Sequence, residues 1–295
     1  MIKNNINLSL LLLSVLILQI GCNKWEEAEL TNDKIEVIAS GIENTDTNSP
    51  DYWDDALLVW SDEFNDTSLN TEKWGFSTRK GGFDDGGTEL QDYKGNQNID
   101  ISNGTLKIIA KKEADGAYTS SRIASNYSFK YGRMEIRAKI PADKGNGIIS
   151  RLFMLGSNKT NVGYPACGEV DMVGYLSHMP NSIFAAVHTS ADIAANGSAT
   201  SSGPIDFPTV EEEFHIYGFL MTDNNLKIYV DDIDNIILTY TKPANSTAAN
   251  WPFDQGLYFL MNVGIGGKFA GVQGVDDTIF PTTMEVDYVR VYHPK

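Results

Sequence analysis

The stretch YGRMEIRAKI, residues 131–140, decides the fold class of this chain. Apolar and charged side chains alternate along it. The apolar set is Met134, Ile136, Ala138 and Ile140, and the charged set is Glu135, Arg137 and Lys139. In an extended segment, successive side chains point to opposite faces. The stretch therefore predicts an antiparallel strand with one face in the core and one face toward water.

The same alternation recurs in short runs that are separated by Gly, Asn and Asp. These runs include NGTLKIIAKKE (103–113), NNLKIYVDDID (224–234) and MEVDYVRVYH (284–293). No segment has the pattern of a long amphipathic helix, and no repeat of fixed period occurs. Many short strands with turn residues between them predict an all-β fold, arranged as a β-sandwich of two antiparallel sheets.

Composition limits the classes of partner. The chain has 295 residues, 42% of them hydrophobic, and a formal net charge of −16. This is enough apolar chain for one large all-β domain. Binding to a phosphate backbone depends on Lys and Arg. We therefore predict no nucleic-acid partner.

The N-terminal segment, MIKNNINLSLLLLSVLILQIGC (1–22), is typical of an export signal. Lys3 precedes an apolar run over residues 8–20, which is short for a membrane span and suits the apolar region of a signal peptide. The run ends in Gly21-Cys22 and resembles the lipobox of bacterial lipoproteins. That resemblance implies a signal peptide over residues 1–21 and lipidation of Cys22, which would anchor the protein to a membrane. An ordinary signal peptide with an incidental cysteine is the alternative.

Residues 22–55 are polar and show no sustained period, as in IENTDTNSPDYWDD (42–55). We predict a flexible tether here, followed by a folded domain over residues 56–295. The acidic residues Glu26, Glu27 and Glu29 resemble the export tags of Bacteroidetes-type lipoproteins, which implies an outer-membrane location facing the cell surface. A solvated linker is an equally compatible interpretation. If Cys22 carries lipid, Cys167 has no disulfide partner.

A second stretch, GEVDMVGY (168–175), predicts where chemistry lies. Glu169 and Asp171 are two residues apart in an apolar run, so on a strand both carboxylates share one face. Neighbouring acids repel each other, which favours a functional use for the pair. No third acid follows, because Val173 and Gly174 stand where one would be expected.

The longer stretch PACGEVDMVGY (165–175) resembles the catalytic strand of glycoside hydrolase family 16, the laminarinase and lichenase group. The family motif runs Glu-x-Asp-x-Glu or, with one bulged residue, Glu-x-Asp-x-x-Glu. Other stretches match the family in order, and together they span about residues 57–293. They are WSDEFNDTSLNTEKW (60–74), TELQDY (88–93), NGTLKIIAKKE (103–113), YTSSRI (118–123), FKYGRMEIRAKIP (129–141), FMLGSN (153–158), PFDQ (252–255), NVGIGG (262–267) and VDYVRVY (286–292). The resemblance implies a concanavalin A-like jelly-roll sandwich whose concave sheet forms a glycan cleft, with β-1,3-glucan as the usual substrate.

The resemblance also implies roles for the strand. Glu169 matches the nucleophile and Asp171 the assisting acid, while the general-acid position falls on Gly174 with the bulge and on Val173 without it. Retaining hydrolysis needs a protonated carboxyl about 5 to 5.5 Å from the nucleophile. Neither Gly nor Val can supply it. Replacement donors remain open among His178, Tyr175 and His188, although a structural or sugar-contacting role is favoured for His188.

Several cleft positions also depart from the family. Ile149 and Phe153 stand at two positions that usually hold Trp, Phe269 stands where Trp is common, and Lys268 stands where Asn is common. The resemblance implies substrate binding by seven residues: Arg122, Glu89, Gln91, Phe153, His188, Asn262 and Phe269. For Glu89 and Arg122, an ion pair or a loop hydrogen bond is an equal alternative.

The resemblance further implies a structural Ca²⁺ held by Glu63, the Gly104 carbonyl and Asp287, since Ca²⁺ prefers oxygen ligands. Simple cross-strand hydrogen bonding is the alternative for these residues. No cofactor is expected for the chemistry itself.

Three functions follow from the sequence. The leading hypothesis is a monomeric surface lipoprotein that binds a laminarin-type β-glucan, with impaired or absent hydrolysis. The second is an active retaining endo-β-1,3-glucanase with Glu169 as nucleophile and a non-standard acid. The third is a structural or adhesive lipoprotein without glycan affinity.

Overall fold

A computed structural model describes residues 35–38, 56–82, 88–142 and 145–294. Strands dominate these residues, and the α-helices among them are short: α1 (Lys159–Val162), α2 (Ser190–Asn196) and α3 (Gly267–Ala270). The predicted lack of long helices is confirmed for this part of the chain. Within the same residues, no helix has the length and apolarity that crossing a membrane requires.

The strands are numbered in chain order. In order they are β1 (Ile35–Ile38), β2 (Leu57–Asp62), β3 (Trp74–Phe76), β4 (Thr78–Arg79), β5 (Gln91–Lys94), β6 (Ile99–Ser102), β7 (Thr105–Lys112), β8 (Tyr118–Ser120), β9 (Arg122–Ser125), β10 (Tyr127–Lys130), β11 (Gly132–Lys139), β12 (Ile148–Gly156), β13 (Glu169–Leu176), β14 (Ser182–His188), β15 (Thr200–Ser201), β16 (Ile205–Asp206), β17 (His215–Met221), β18 (Asn225–Val230), β19 (Ile236–Thr241), β20 (Leu257–Ile265) and β21 (Thr282–His293).

These strands form two sheets. The site sheet has the order β1-β10-β20-β12-β13-β14-β15, with β9 also paired to β20, β3 to β9 and β16 to β14. The opposite sheet has the order β19-β18-β17-β11-β21-β7-β8-β5-β4, with β2 paired to β21 and β6 to β7. Most pairs are antiparallel, and the parallel pairs β1-β10 and β5-β8 make both sheets mixed. The predicted all-β jelly-roll sandwich is confirmed.

The core lies between the sheets. Met134, Ile136 and Ala138 of β11 are fully buried and belong to the same apolar cluster as Leu152 and Met154 of β12. The inward-facing residues of the two strands therefore join the two layers, as the pattern in residues 131–140 predicts. Arg137 and Lys139, from the charged set, form ion pairs with Asp287 and Glu285 of the neighbouring strand β21.

Glu135 differs from the predicted exposed position, since it is only 8% exposed. The Tyr229 ring lies across Gly218 on the adjoining strands, where a Cβ at Gly218 would come within 1.9 Å of the ring. The Tyr229 hydroxyl donates a hydrogen bond to Glu135 at 2.7 Å. A cross-strand aromatic side chain thus covers the carboxylate and supplies its partner.

The predicted tether over residues 22–55 is wrong at residues 35–38. These form β1, which pairs in parallel with β10, and Val37 packs against the core. The sequence IEVI has the alternation of a short strand, and β10 offers an edge to which it can add. The predicted signal peptide, Cys22 and the rest of the tether lie outside the described residues.

Candidate functional site

A β-bulge in β13 decides which side chains share the face of the predicted carboxylate pair. Leu152 pairs with Val173, and the next residue of β12, Phe153, pairs with Asp171. Met172 is therefore an extra residue in β13, and both Met172 and Val173 enter the main core cluster. The bulge returns Gly174 to the face that carries Glu169 and Asp171. Of the two alternatives left open by the sequence, the structure has the bulged one, so the predicted acid position falls on Gly174 and not on Val173.

The space above Gly174 is filled by Phe184. These two residues are directly opposite each other on β13 and β14. A Cβ built on Gly174 would lie 2.2, 2.5 and 2.7 Å from three carbons of the phenyl ring. A side chain fits at position 174 only if the ring moves. No sequence motif singles out Phe184, and only its pairing with Gly174 reveals its place.

The two acids and His188 form a cluster at the other end of the same strand pair. His188 Nε2 lies 2.9 Å from Asp171 Oδ2 and 3.6 Å from Glu169 Oε1. Its Nδ1 lies 3.0 Å from the Tyr164 hydroxyl. One carboxylate oxygen from each acid and one imidazole nitrogen of His188 all lie within 4.8 Å of one another. The imidazole contacts both carboxylates. The predicted placement of Glu169, Asp171 and His188 on one face is what the structure has.

Burial and charge shift the pKa values in this cluster. Burial raises the pKa of Glu169, and the neighbouring Asp171 charge raises it further. For His188, burial lowers the pKa, but the hydrogen bond that it donates to Asp171 and the charges of both acids outweigh burial and bring the pKa to about 9. His188 therefore carries a proton at neutral pH, and that proton neutralises part of the acid pair.

A buried ion pair lies beside this cluster. Arg151 of β12 is opposite Gly174, and its Nη2 donates to Glu89 Oε1 at 2.9 Å. Burial lowers the pKa of Arg151, but the charges of Glu89, Tyr93 and the two acids of β13 raise it above its usual value. Sequence reasoning did not select Arg151, although an arginine inside the apolar run GIISRLFMLG was a usable sign. Of the two roles predicted for Glu89, substrate binding or an ion pair, the structure has the ion pair.

The other predicted polar residues of the cleft form a hydrogen-bonded group with Glu89. Gln91 Nε2 donates to Glu89 Oε2 at 2.8 Å and to the Tyr93 hydroxyl at 3.0 Å. Asn262 Nδ2 donates to the same hydroxyl at 2.9 Å. Tyr93 was not selected from the sequence. Its buried hydroxyl links the two amides, so this group is rigid and largely satisfied.

The aromatic and apolar residues of the predicted cleft differ in burial. The ring of Phe153 lies against two arginines. Its centroid is 5.3 Å from Cζ of Arg122 and 5.7 Å from Cζ of Arg151. Ile149 is buried, with its Cγ2 close against Gly264. Phe269, on α3, has 60% of its surface exposed and stands outside the buried group.

The structure separates one of the alternative proton donors from the predicted acid position. Tyr175 faces the core, and its hydroxyl donates to Glu211 at 2.6 Å. Tyr175 as a donor is therefore wrong, because the bulge sends it to the opposite face from Gly174. His178 lies in the turn after β13. His188 remains on the site face, beside Glu169.

Two of the three residues predicted to hold calcium have arginine partners in this arrangement. Both oxygens of Glu63 accept hydrogen bonds from Arg290, at 3.0 and 2.8 Å, which lower the pKa of Glu63. Asp287 accepts a hydrogen bond from Arg137. Among the described residues, the group of acids and histidines close enough to share a metal ion is Glu169, Asp171 and His188. The pairing with arginines agrees with the cross-strand alternative, and calcium at Gly104 stays a prediction.

Comparison with known proteins assigns the family. The model of glycosyl hydrolases family 16 matches residues 87–290. A beta-glucanase of Rhodothermus marinus is 36% identical over 256 residues, which cover 82% of this chain and 85% of that protein. A glucan endo-1,3-beta-glucosidase A1 of Niallia circulans is 34% identical over 80% of this chain and 37% of its own length. The crystal structure of a laminarinase from Flavobacterium sp. UMI-01 superposes with a TM-score of 0.73 at 38% identity, covering 80% of this chain and all of that one. The sequence motifs, the sandwich and these similarities together show that this chain belongs to glycosyl hydrolases family 16.

Proposed function

We propose that this protein is a surface lipoprotein that binds a laminarin-type β-glucan in its family 16 cleft and hydrolyses it poorly or not at all. One observation carries the proposal. At the position that the family resemblance gives to the general acid, the chain has Gly174, and the ring of Phe184 lies over it.

The physical reason is the leaving group. A sugar alkoxide leaves with difficulty unless a proton reaches the glycosidic oxygen, and a general acid contributes about 10²- to 10⁴-fold to such a step. Glycine has no proton to give, and the phenyl ring excludes a side chain or a water-filled gap that could replace it. Glu169 retains the position of a nucleophile, so the proposed defect lies in proton donation alone.

Glycan binding is supported by what the site keeps. The site face keeps Glu169, Asp171 and the partly exposed His188 together, and the buried group around Glu89, Gln91 and Asn262 gives that face a rigid support. The relatives named as a beta-glucanase and a glucan endo-1,3-beta-glucosidase support β-glucan as the polymer. Export and lipidation at Cys22 rest on the N-terminal sequence alone. Loss of the protein from the membrane fraction on Cys22→Ser would support the anchor.

Calorimetric titration of residues 23–295, which keep β1, against laminarin, mixed-linkage glucan, agarose and carrageenan tests the proposal. Reducing ends are assayed in the same mixtures. We expect heat of binding with laminarin and no reducing ends above the background of Glu169→Gln. Absence of binding to every glycan contradicts the proposal and leaves the structural or adhesive alternative.

A second candidate is an active endo-β-1,3-glucanase, and the position of His188 favours it. The imidazole is protonated at neutral pH and its Nε2 lies 3.6 Å from Glu169. It is also hydrogen-bonded to Asp171, on the far side of the acid pair from Gly174, which is why this candidate ranks second. Reducing ends released from laminarin by the wild-type protein, and lost in both Glu169→Gln and His188→Gln, would establish it.

A further inference from the structure

The contact between Phe184 and Gly174 has a counterpart in the opposite sheet, and the two differ in exposure. Tyr229 lies over Gly218 in the same cross-strand manner and is 1% exposed. An aromatic ring that covers a strand glycine for packing alone is expected to be buried in this way. Phe184 covers its glycine but stays only half-buried. Packing on Gly174 therefore covers one face of the Phe184 ring, and part of the ring stays exposed.

A pocket of about 180 Å³ adjoins the exposed part of this ring. Its lining includes Leu176, Met179 and Pro204, together with the serines Ser182 and Ser201. We call this site the Phe184 pocket. None of these lining residues carries a charge, so the pocket favours an uncharged ligand with an apolar face.

The Phe184 pocket adjoins the sheet face that carries the predicted reaction centre. Phe184 and His188 are on the same face of β14, and Gly174 and Glu169 are on the same face of β13. A general acid protonates the leaving oxygen, so position 174 adjoins the leaving-group side of the scissile bond. A polymer that lies along this face from Glu169 toward Gly174 reaches the ring of Phe184 next.

We propose that the Phe184 pocket is a sugar-binding subsite on the leaving-group side, in which a glucosyl unit of the β-glucan lays its C–H face on the Phe184 ring. A pyranose presents apolar C–H groups on its faces, which pack on an aromatic ring, and hydroxyls at its edge, which Ser182 and Ser201 can bind. The glycine at 174 lets the ring lie low enough to make this platform. In this protein, the place of the proton donor has become part of the binding surface.

This inference rests on the proposed binding of β-glucan, and the test separates the two. Laminarin is titrated calorimetrically into wild-type protein, Phe184→Leu and Phe184→Tyr. Leu keeps the apolar volume that supports the fold but removes the flat ring, whereas Tyr keeps the ring. We expect Phe184→Leu to weaken laminarin binding by roughly three- to tenfold, as the loss of an aromatic contact predicts. Phe184→Tyr should stay within about twofold of wild type.

The matched control is Phe214→Leu, since the Phe214 ring lies against Arg137 and Lys139 on the opposite sheet. It should bind laminarin as the wild type does. Equal laminarin affinity in wild type and Phe184→Leu overturns the subsite and leaves the proposed binding function standing. Absence of laminarin binding by the wild-type protein overturns both. Reducing ends released by the wild type, with affinity still lost in Phe184→Leu, overturn the proposed catalytic defect and support the subsite.

Discussion

The two ends of the β13-β14 pair share one face of one sheet and differ in kind. At one end Glu169, Asp171 and His188 form a charged cluster with hydrogen bonds among its members. At the other end Gly174 and Phe184 form an apolar contact beside an uncharged pocket. The proposed function assigns attack on a sugar to the first end and places the missing proton donor at the second. Under that proposal, binding and cutting depend on different ends of the same strands, so one can be retained without the other.

Placing a glutamate at position 174 should have the largest effect, which is on laminarin hydrolysis. Gly174→Glu alone should yield little laminarin hydrolysis, because the Phe184 ring occupies the space of the new side chain. In Gly174→Glu/Phe184→Ala the ring is gone, and we expect reducing-end release to rise by about 10²- to 10⁴-fold over wild type. Phe184→Ala alone is the control and should show no gain. Full activity in Gly174→Glu alone would mean that the Phe184 ring moves freely. The missing carboxyl at position 174 would then be the whole of the defect.

The buried ion pair should give the next largest effect. Glu89→Gln leaves the Arg151 charge buried without its counter-charge, and removal of one partner from such a pair typically costs about 3 kcal/mol or more. Chemical denaturation measures this loss. Asp254→Asn, which breaks an ion pair whose Asp254 side chain is 63% exposed, should cost less than about 1 kcal/mol. Similar losses of unfolding free energy in the two variants would show that the buried Glu89–Arg151 pair contributes no more than an exposed ion pair.

A smaller effect is expected where the glycine meets the ring. Gly174→Ala places a Cβ within the phenyl ring of Phe184, and such overpacking costs about 1 to 3 kcal/mol. Thermal unfolding should therefore show a lower Tm for this variant. In the Phe184→Ala background the same substitution should be nearly neutral. An equal cost in both backgrounds would place the strain in the backbone and not in the Gly174-Phe184 contact.

The charged end should make stability depend on pH. His188 has its folded pKa raised to about 9, above the usual 6.5, so its contribution is complete below about pH 6.5 and is lost as pH rises to 9. The raised pKa of Glu169 acts in the same direction, since the folded state holds protons that the unfolded state releases. The Tm of the wild type should thus fall more than that of His188→Gln between pH 6.5 and 9. Parallel Tm curves would contradict the assigned charge of His188.

Much of the fold could be predicted, because alternation in segments such as residues 131–140 reports directly on which face is buried. Strand periodicity placed Glu169 and Asp171 correctly on one face, and the family resemblance put His188 in the same cleft. The β1 strand was missed, since four residues of alternation inside a polar segment give too short a pattern. Its stabilisation comes from β10, which is distant in sequence.

The choice between Val173 and Gly174 could not be made from the sequence. A bulge depends on how β13 registers with β12 and β14, and both pairings are tertiary. Phe184 was missed for the same reason, because its role arises from the residue that faces it. The hydrogen bonds from Arg290 to Glu63 and from Arg137 to Asp287 were missed for the same reason. They are cross-strand contacts, which depend on strand pairing.

The central claim, that the cleft retains attack and lacks proton donation, is tested most directly by changing the leaving group. Wild-type protein and Glu169→Gln are compared on laminarin and on 2,4-dinitrophenyl β-laminaribioside, whose phenolate leaves without a proton. We predict that the wild type releases dinitrophenolate, that Glu169→Gln abolishes this release, and that neither protein produces reducing ends from laminarin. Reducing ends from laminarin that appear with wild type and vanish in Glu169→Gln would contradict the claim.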